Sequence, residues 1–500
     1  MEAARSGPAK AYDAIVRFLE RGREPALLEP GEMQFALRPD CYKLDWRNGR
    51  LTIQVWDERR NLARRVVGVG EERTGKLELT IERFGKQQGR IYLVETGRGR
   101  ARVERLSSRL VFREQFRRSL SRQFPDWKIA ELSTDANLED SLSPSYPRAL
   151  LKRGSTGIAA MGAPPEPGAA AACLTFALIW LDYLRRREPR MTIESLALFL
   201  PESEARQACH RLPFLDPKAV RSQAYVYSEQ GYEEWIDPRD YGNLDTRLEP
   251  CATLSPTLPQ QVAEWVERLR AIPNVEVASR ADGATSLRVH GLEFARAGRN
   301  GMLFGLDKKA KATSSNMAEI ERLAREIGRL RSPSAADREN PLYRRHPEAW
   351  LEAEVRTHLQ QVDASLLPGQ VYGQVPALSG CERGIIDLLA ADQSGRLAVL
   401  ELKASEDIHL PLQALDYWVR VVWHLERGEF GEYGYFPGRT LARPWPRLLL
   451  IAPALCFHPK TETILRFFAP NIEVERIGLG ADWRNGPRVM FRIQGAARPL

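Results

Sequence analysis

Two apolar runs near the C-terminus, separated by a short polar turn, most constrain the fold. ERGIIDLLAAD (382–392) and LAVLELKA (397–404) lie on either side of DQSGR, which is typical of a β-hairpin. Charged residues interrupt both apolar patterns: Asp387 in the first run, and Glu401 and Lys403 in the second. Because side chains two positions apart share a face of a strand, Glu401 and Lys403 point to the same side.

The position of the turn determines whether the two carboxylates meet. In a hairpin that is symmetric about Ser394, Asp387 and Glu401 are equally far from the turn and lie directly opposite each other. Opposed Cβ atoms are about 4.5–5.5 Å apart, which is close enough for two carboxylates to share one cation. A slip of one residue would place them on opposite faces of the sheet.

Two neighbouring carboxylates in an apolar hairpin require a compensating cation. Buried like charges are costly, and a divalent metal removes that cost. Mg²⁺ prefers oxygen ligands and keeps several waters, so we predict Mg²⁺, or Mn²⁺ in its place. Such a metal lowers the pKa of a bound water and stabilises the charge on an attacked phosphate. Lys403 could then orient or deprotonate that water, or neutralise the phosphate.

Regular elements are predicted on both sides of the hairpin. A helix over 347–361 has Glu352 and Glu354 near opposite edges of its apolar stripe; Glu352 is preferred, with Glu354 as the alternative. A strand, VYGQVPAL (371–378), follows that helix. After the hairpin come a helix over 410–428 and a buried strand, RLLLIAPAL.

The order of these elements and charges resembles the PD-(D/E)xK nuclease superfamily over residues 350–457. Gln413 and Tyr417 are similar to the QxxxY helix of its RecB-type branch, whereas Ile386 replaces the proline that often precedes the Asp. The resemblance implies a restriction-endonuclease-like αβββαβ core. It implies that Asp387, Glu401 and Glu352 are metal ligands, with the Leu402 main-chain carbonyl as a further ligand. It also implies that Lys403 is the catalytic lysine. Glu352, Gln413 and Tyr417 would complete or support the catalytic site.

The implied function is metal-dependent hydrolysis of phosphodiester bonds in DNA, with RNA as an alternative substrate. A shared fold does not establish an activity. A second hypothesis is therefore a non-cleaving nucleic-acid-binding or scaffold protein that retains the fold. A third is a different reaction on a small phosphorylated molecule. No helicase or NTPase motif accompanies the predicted nuclease.

Positive charge is concentrated in one part of the chain. The 500 residues have a net charge of +8, but residues 83–128 contain 13 Lys and Arg against 4 Asp and Glu, a net of +9. This segment joins a strand-like piece to a helix-like piece, so it can form one basic face for phosphates. The alternative is a solvated, salt-bridged surface. The residues that we predict to contact nucleic acid are Arg113, Arg117, Arg118 and Arg122.

The predicted fold class is α/β and multidomain, with an N-terminal α+β region. We divide the chain into a mostly β region (1–82), a basic α/β module (83–250), a small α+β segment ending in a helix (251–330), a polar linker (331–345) and the nuclease-like domain (346–500).

The basic module could be a degenerate copy of the nuclease-like fold. It has a similar order of a helix with Glu114, strands, a helix and a buried strand. The strand equivalent to the one with E-x-K reads Ala159-Ala160-Met161, so this copy could not bind metal there. Many α/β modules share such an order, and that interpretation is equally open.

Other features limit the setting in which the chain works. We expect no signal peptide and no membrane-spanning segment, because every apolar stretch is short or interrupted. The six cysteines lie far apart without a CxxC pair, which favours a reducing cytoplasm over a disulfide scaffold or zinc ribbon. DNA is the expected partner, a membrane is not, and a homo-oligomer remains open.

Overall fold

The computed structural model is mixed α/β, with four separate sheets in the described part of the chain. The described residues are 7–21, 25–28, 35–37, 42–47, 50–56, 61–73, 75–82, 88–95, 100–137, 139–228, 233–251, 258–280, 283–379 and 382–497. The architecture agrees with the predicted multidomain α/β class at this coarse level.

The N-terminal unit is one helix packed on a seven-stranded antiparallel sheet. Its elements are α1 (Gly7–Arg21), β1 (Pro25–Leu28), β2 (Phe35–Ala36), β3 (Tyr42–Arg47), β4 (Arg50–Trp56), β5 (Asn61–Arg73), β6 (Lys76–Glu82) and β7 (Gln88–Glu95). The strand order is β2-β1-β7-β6-β5-β4-β3. The predicted boundary at residue 82 is wrong, because β7 fills the sheet between β1 and β6.

The first α/β unit is a six-stranded sheet with a long helix on each face. Its elements are α2 (Arg100–Gln123), β8 (Lys128–Ser133), β9 (Arg148–Arg153), β10 (Thr156–Gly162), α3 (Ala169–Arg187), β11 (Thr192–Pro201), α4 (Ala205–Cys209), β12 (Arg221–Tyr227) and β13 (Glu233–Ile236). The strands follow chain order. β10, β11 and β12 are parallel, and the other neighbours are antiparallel.

A small inserted unit follows, in which two helices pack on a five-stranded antiparallel sheet. Before it, β14 (Arg247–Leu248) pairs with the edge of the C-terminal sheet. The inserted unit contains α5 (Gln260–Arg270), β15 (Val275–Ser279), β16 (Thr285–Val289), β17 (Leu292–Gly298), β18 (Gly301–Phe304), β19 (Ala310–Lys311) and α6 (Met317–Leu330). This unit lies within the stretch over 251–330 that was predicted as a small α+β segment.

The connection after the inserted unit is packed rather than free. Arg331 is fully buried, and its guanidinium donates hydrogen bonds to the carbonyl oxygens of His290 (3.0 Å) and Leu342 (2.9 Å). A short helix, α7 (Pro341–Arg344), lies within it. The segment predicted as a polar linker over 331–345 is therefore anchored by a buried arginine at its first residue.

The second α/β unit contains the predicted hairpin. Its elements are α8 (Pro347–Thr357), α9 (Leu359–Val362), β20 (Leu366–Ser379), β21 (Glu382–Asp392), β22 (Leu397–Leu402), α10 (Leu410–Glu426), α11 (Glu429–Glu432), β23 (Arg447–Pro453), α12 (Thr461–Leu465), β24 (Val474–Leu479) and β25 (Val489–Gln494). The sheet order is β14-β20-β21-β22-β23-β24-β25. β22, β23 and β24 are parallel, and the other neighbours are antiparallel.

The two α/β units repeat the same arrangement. In both, three antiparallel strands lead through a helix into two further parallel strands and a final antiparallel one. β8 to β13 thus correspond one by one to β20 to β25. This is the arrangement expected of a duplicated unit.

The two units face each other through a reciprocal contact. The amide of Asp216 donates to the carbonyl of Phe467 (2.8 Å), and the amide of Ala469 donates to that of Phe214 (2.9 Å). Such exchange of equivalent contacts is typical of a two-fold related pair. One apolar core runs through both units and includes residues of α3 and α10. The two units therefore form a pseudo-dimer within one chain.

Candidate metal-binding active site

The hairpin of β21 and β22 places two carboxylates opposite each other. Leu388 pairs with Leu400 and Leu389 with Val399, which is the register predicted from a turn centred on Ser394. The next pair in this register is Asp387 and Glu401. One oxygen of Asp387, Oδ2, accepts a hydrogen bond from the Leu402 amide (2.9 Å).

Glu401 is the most buried charged group of the site. Its side chain is 1% exposed, and within the described residues neither carboxylate oxygen accepts a hydrogen bond. Burial raises the pKa of Glu401 well above its usual value, and the charge of Asp387 raises it further. A carboxylate in this position needs a nearby cation in order to ionise.

Asp387 experiences the same opposition to ionisation. Burial raises the pKa of Asp387 to about 6, although the hydrogen bond from Leu402 and the charge of Lys403 act in the opposite direction. The charge of Glu352 adds to the increase. Both carboxyls thus ionise less readily than usual even beside Lys403, and a divalent cation would relieve this cost.

Lys403 extends from the end of β22 into a ring of carboxylates. Its Nζ lies 3.6 Å from Glu401, 3.8 Å from Asp407 and 4.0 Å from Glu348. Burial alone would lower the pKa of Lys403, but Glu401, Glu348 and Asp387 outweigh it, and the pKa is raised. The amine is therefore a charged ammonium in this arrangement, which favours charge neutralisation or water orientation over proton abstraction.

Helix α8 supplies the preferred acidic residue, Glu352. Its side chain is buried (5% exposed), and its Oε1 lies 3.8 Å from Nη1 of Arg356. Gly373 on β20 permits this position, because a Cβ there would lie 2.6 Å from the same oxygen. Glu354, the alternative, accepts a hydrogen bond from the Trp350 indole (3.1 Å) and lies 3.4 Å from His290. The structure therefore brings Glu352, and not Glu354, to the hairpin.

Gln413 and Tyr417 lie one turn apart on α10. Nε2 of Gln413 donates to the Tyr417 hydroxyl (3.2 Å). Burial raises the pKa of Tyr417, and the charges of Glu401 and Asp387 raise it further. The neutral phenol can donate a hydrogen bond toward the site.

Two further carboxylates were missed by the sequence analysis. Glu348 lies one turn before Glu352 on α8, and this i,i+4 spacing could have identified it. Asp407 lies between β22 and α10, a position that is more typical of a helix-capping residue than of an active-site carboxylate. Its Oδ1 does accept from the His409 amide (2.8 Å), but its other oxygen faces Lys403.

The first α/β unit lacks this set of charges. At the equivalent strand ends, the Ala163 amide donates to Phe199 (2.8 Å), as the Lys403 amide donates to Ile451 (3.0 Å). Ala163 therefore corresponds to Lys403, and Met161 to Glu401.

The equivalent of Asp387 is then Arg148, which pairs with Met161. Arg148 is 4% exposed and donates to the Asp135 carbonyl (2.5 Å). The predicted alignment of Ala159-Ala160-Met161 with E-x-K was wrong by two residues. The pairing of β10 with its neighbours, which includes a register shift between Gly157 and Ile158, determines which residues are equivalent. The order of elements in the sequence does not reveal that pairing.

The predicted nucleic-acid contacts lie on α2, which covers the face of the first sheet opposite α3. Arg117 and Arg118 share Glu114, at 2.6 and 3.7 Å, and Arg122 pairs with Glu233. Arg113 is half-buried and donates to the Leu132 carbonyl (3.2 Å). Part of the predicted basic face is thus neutralised within the protein, and its contact with nucleic acid stays a prediction.

The donor set of the site suits a hard cation. In the described chain, no group of three or more His, Cys, Asp and Glu side chains is positioned as a complete metal-binding set. Two carboxylates and a main-chain carbonyl nevertheless suit Mg²⁺, which is commonly bound by one or two carboxylates while keeping several waters. The orphaned oxygens of Glu401 are the specific feature that fits such an ion.

Comparisons with protein-family models, with curated proteins and with solved structures found no match to this chain. Within the described residues, no helix is both long and apolar enough to cross a membrane.

Proposed function

We propose that the chain is a metal-dependent nuclease of the PD-(D/E)xK type that hydrolyses phosphodiester bonds of DNA, with RNA as the alternative substrate. One observation carries the proposal: the fully buried Glu401 has no hydrogen-bond donor among the described residues and lies in register with Asp387, with Lys403 Nζ 3.6 Å away. This combination is costly for stability and has a direct use in phosphate chemistry.

The residues of the site would divide the work as follows. Asp387, Glu401 and Glu352 would hold Mg²⁺ or Mn²⁺, with the Leu402 carbonyl as a further ligand. The bound ion would supply a water of lowered pKa and positive charge facing the phosphate. Lys403, kept charged by its acidic neighbours, would neutralise the phosphate or orient the attacking water.

Gln413 and Tyr417 complete the proposed site as positioning residues. Gln413 donates a hydrogen bond to the Tyr417 hydroxyl and would hold the phenol in place for the site. Because Tyr417 resists ionisation, its hydroxyl would remain a hydrogen-bond donor to the substrate or to a ligand oxygen across the working pH range.

The rest of the chain would bind and position the substrate. The shared topology of the two α/β units supports a degenerate copy of the restriction-endonuclease-like fold, with no metal site because Arg148, Met161 and Ala163 replace the charged set. The described cysteines, Cys173, Cys209, Cys251 and Cys456, are all free. These free thiols support a reducing compartment such as the cytoplasm.

The test is a cleavage assay on supercoiled plasmid, linear, single-stranded and forked DNA and on RNA, with Mg²⁺ or Mn²⁺. Wild-type protein is compared with Asp387→Ala and Lys403→Ala, and exposed Lys218→Ala serves as the matched lysine control. We expect cleavage by the wild type and the control. The two site variants should lose at least about 100-fold in rate, the scale on which single electrostatic groups act.

Two outcomes would redirect the proposal. Full cleavage by the Lys403 variant would reject the site assignment. Salt-sensitive DNA binding by all four proteins with no metal-dependent cutting would instead favour the non-cleaving binding protein.

A further inference from the structure

A basic cavity of about 240 Å³ lies between the inserted unit and the start of α8. It is smaller than the roughly 300–1,000 Å³ typical of sites for organic ligands, so it suits a small anionic group better than a nucleobase. Its charged lining residues are Arg280, Arg288, Arg296, Lys309, Arg345 and Glu293.

The carboxylate of Glu293 interacts with several of these cations. Glu293 accepts hydrogen bonds from Ser286 (2.7 Å), Arg296 (2.9 Å) and Arg280 (3.4 Å), and it lies 3.8 Å from Lys309. Burial alone would raise the pKa of Glu293, but Ser286, Arg296 and Arg280 together lower it. Three cations around one carboxylate leave a positive excess at the cavity.

Arg288 adds a cation at the most buried part of the lining. The residue is 6% exposed, its Nε donates to the Ser286 hydroxyl (3.0 Å), and its guanidinium interacts electrostatically with Glu352. Arg345 pairs with the exposed Asp307 (2.6 Å). An anion entering the cavity would therefore meet chiefly Arg280, Arg296 and Lys309, with Arg288 behind them.

The cavity adjoins the candidate active site through α8. Ala349 lines the cavity, while Glu348 faces Lys403 and Glu352 faces the hairpin. Ala349 and Glu352 are three residues apart on α8, which corresponds to about 4.5 Å along the helix axis. Gly291 allows the inserted unit to pack closely against α8, because a Cβ at this position would lie only 2.0 Å from the Ala349 carbonyl oxygen. A strand crossing the active site could thus place a second phosphate in the cavity.

We propose that this cavity binds a phosphate group of the nucleic-acid substrate, next to the phosphodiester that is cut. The inference rests on the proposed function for its substrate class. A terminal monoester and an internal diester both present anionic phosphate oxygens to the arginines, and they are separated by experiment. The inserted unit then acts as the element that sets where along the strand the site cuts.

The first measurement does not depend on cleavage. Inorganic phosphate is titrated into metal-free, full-length protein and followed by calorimetry, with chloride at the same ionic strength as the reference. We expect saturable binding by the wild type, at least tenfold weaker binding by Arg280→Gln with Arg296→Gln, and wild-type binding by Arg268→Gln. Arg268 is a matched control, since it is exposed on α5 of the same unit and pairs with Glu321.

The second measurement identifies the source of the phosphate. Single-stranded oligonucleotides with a 5′-phosphate, a 3′-phosphate or no terminal phosphate are compared for KM and for cleavage position. A terminal site predicts that one phosphorylated end lowers KM in the wild type and that the double variant loses this preference. An internal site predicts that KM of all three rises together in the double variant.

Several results would overturn the inference. Absence of saturable phosphate binding by the wild type would do so, as would equal binding by the folded double variant, with folding checked by circular dichroism. Arg296→Lys keeps the charge and should retain most of the phosphate affinity; its loss together with unfolding would show a purely structural role. If phosphate binds as expected but no nucleic acid is cleaved, the proposed function fails while the anion site stands.

Discussion

Removing the charge of Asp387 should stabilise the metal-free protein. The pKa of this carboxyl is about 6 in the folded chain against an ordinary value of 3.8, chiefly because it is buried. Each pH unit of difference corresponds to about 1.4 kcal/mol, so ionised Asp387 costs the fold about 3 kcal/mol. The variant Asp387→Asn keeps an oxygen that can accept from the Leu402 amide and removes the charge.

The sign of the pH dependence follows from the raised pKa. Between about pH 4 and pH 6 the folded state holds a proton that the unfolded chain has released, so stability falls as pH rises. At pH 8 and in EDTA, Asp387→Asn should be about 3 kcal/mol more stable than the wild type. Near pH 4 this advantage should approach zero.

Thermal unfolding followed by fluorescence measures this difference. For a unit of 150–250 residues, about 3 kcal/mol corresponds to roughly 6–12 °C in Tm. Mg²⁺ at 1,000 times its Kd should reverse the order, because it adds about 4.1 kcal/mol to the wild type alone. Exposed Asp126→Asn is the control and should change neither value.

Two results would refute this reasoning. One is a variant less stable than the wild type at pH 8 in EDTA. The other is a gain in stability that is the same at pH 4 and pH 8. Either result would mean that Asp387 is not a strained, buried charge, and the argument for a metal at the hairpin would lose its energetic basis.

Three further predictions concern the surroundings of the site. Gly373→Ala should displace Glu352, since the new Cβ would lie 2.6 Å from its Oε1. We expect a loss of about 1–3 kcal/mol in the free energy of unfolding, measured in urea, and weaker Mn²⁺ binding. An unchanged Mn²⁺ affinity would remove Glu352 from the ligand set. Charge reversal of Arg117, Arg118 and Arg122 should weaken DNA binding and flatten its salt dependence while leaving cleavage of short substrates intact; unchanged binding would make α2 an ordinary solvated face. With one charged set per pseudo-dimer, supercoiled plasmid should pass through a nicked intermediate, and direct conversion to linear DNA at low enzyme concentration would contradict a single active site.

The hairpin and its charges could be predicted because they depend on short-range features. The turn around Ser394 fixed the register that sets Asp387 opposite Glu401. The spacing of α8 left both Glu352 and Glu354 near its apolar stripe, and Tyr417 was expected only from the family resemblance. Periodicity and turn chemistry are sufficient for such local geometry.

The remaining features depend on contacts between distant parts of the chain. No local signal assigned β7 to the N-terminal sheet, where it fills a gap between strands that are far apart in sequence. The basic cavity joins Arg288 of the inserted unit to Ala349 of the next one. The charge count over 83–128 could not reveal that Glu114 and Glu233 pair with three of its arginines.

The most direct test of the central claim is the rate of plasmid cleavage as a function of Mg²⁺ concentration, for the wild type and Glu401→Gln. Both proteins are prepared in EDTA and compared at one enzyme concentration. We predict no cleavage in EDTA, a saturable rise with Mg²⁺ for the wild type, and loss of that rise for Glu401→Gln. Equal, Mg²⁺-dependent cleavage by both proteins would contradict the assignment of Glu401 and its hairpin as the catalytic metal site.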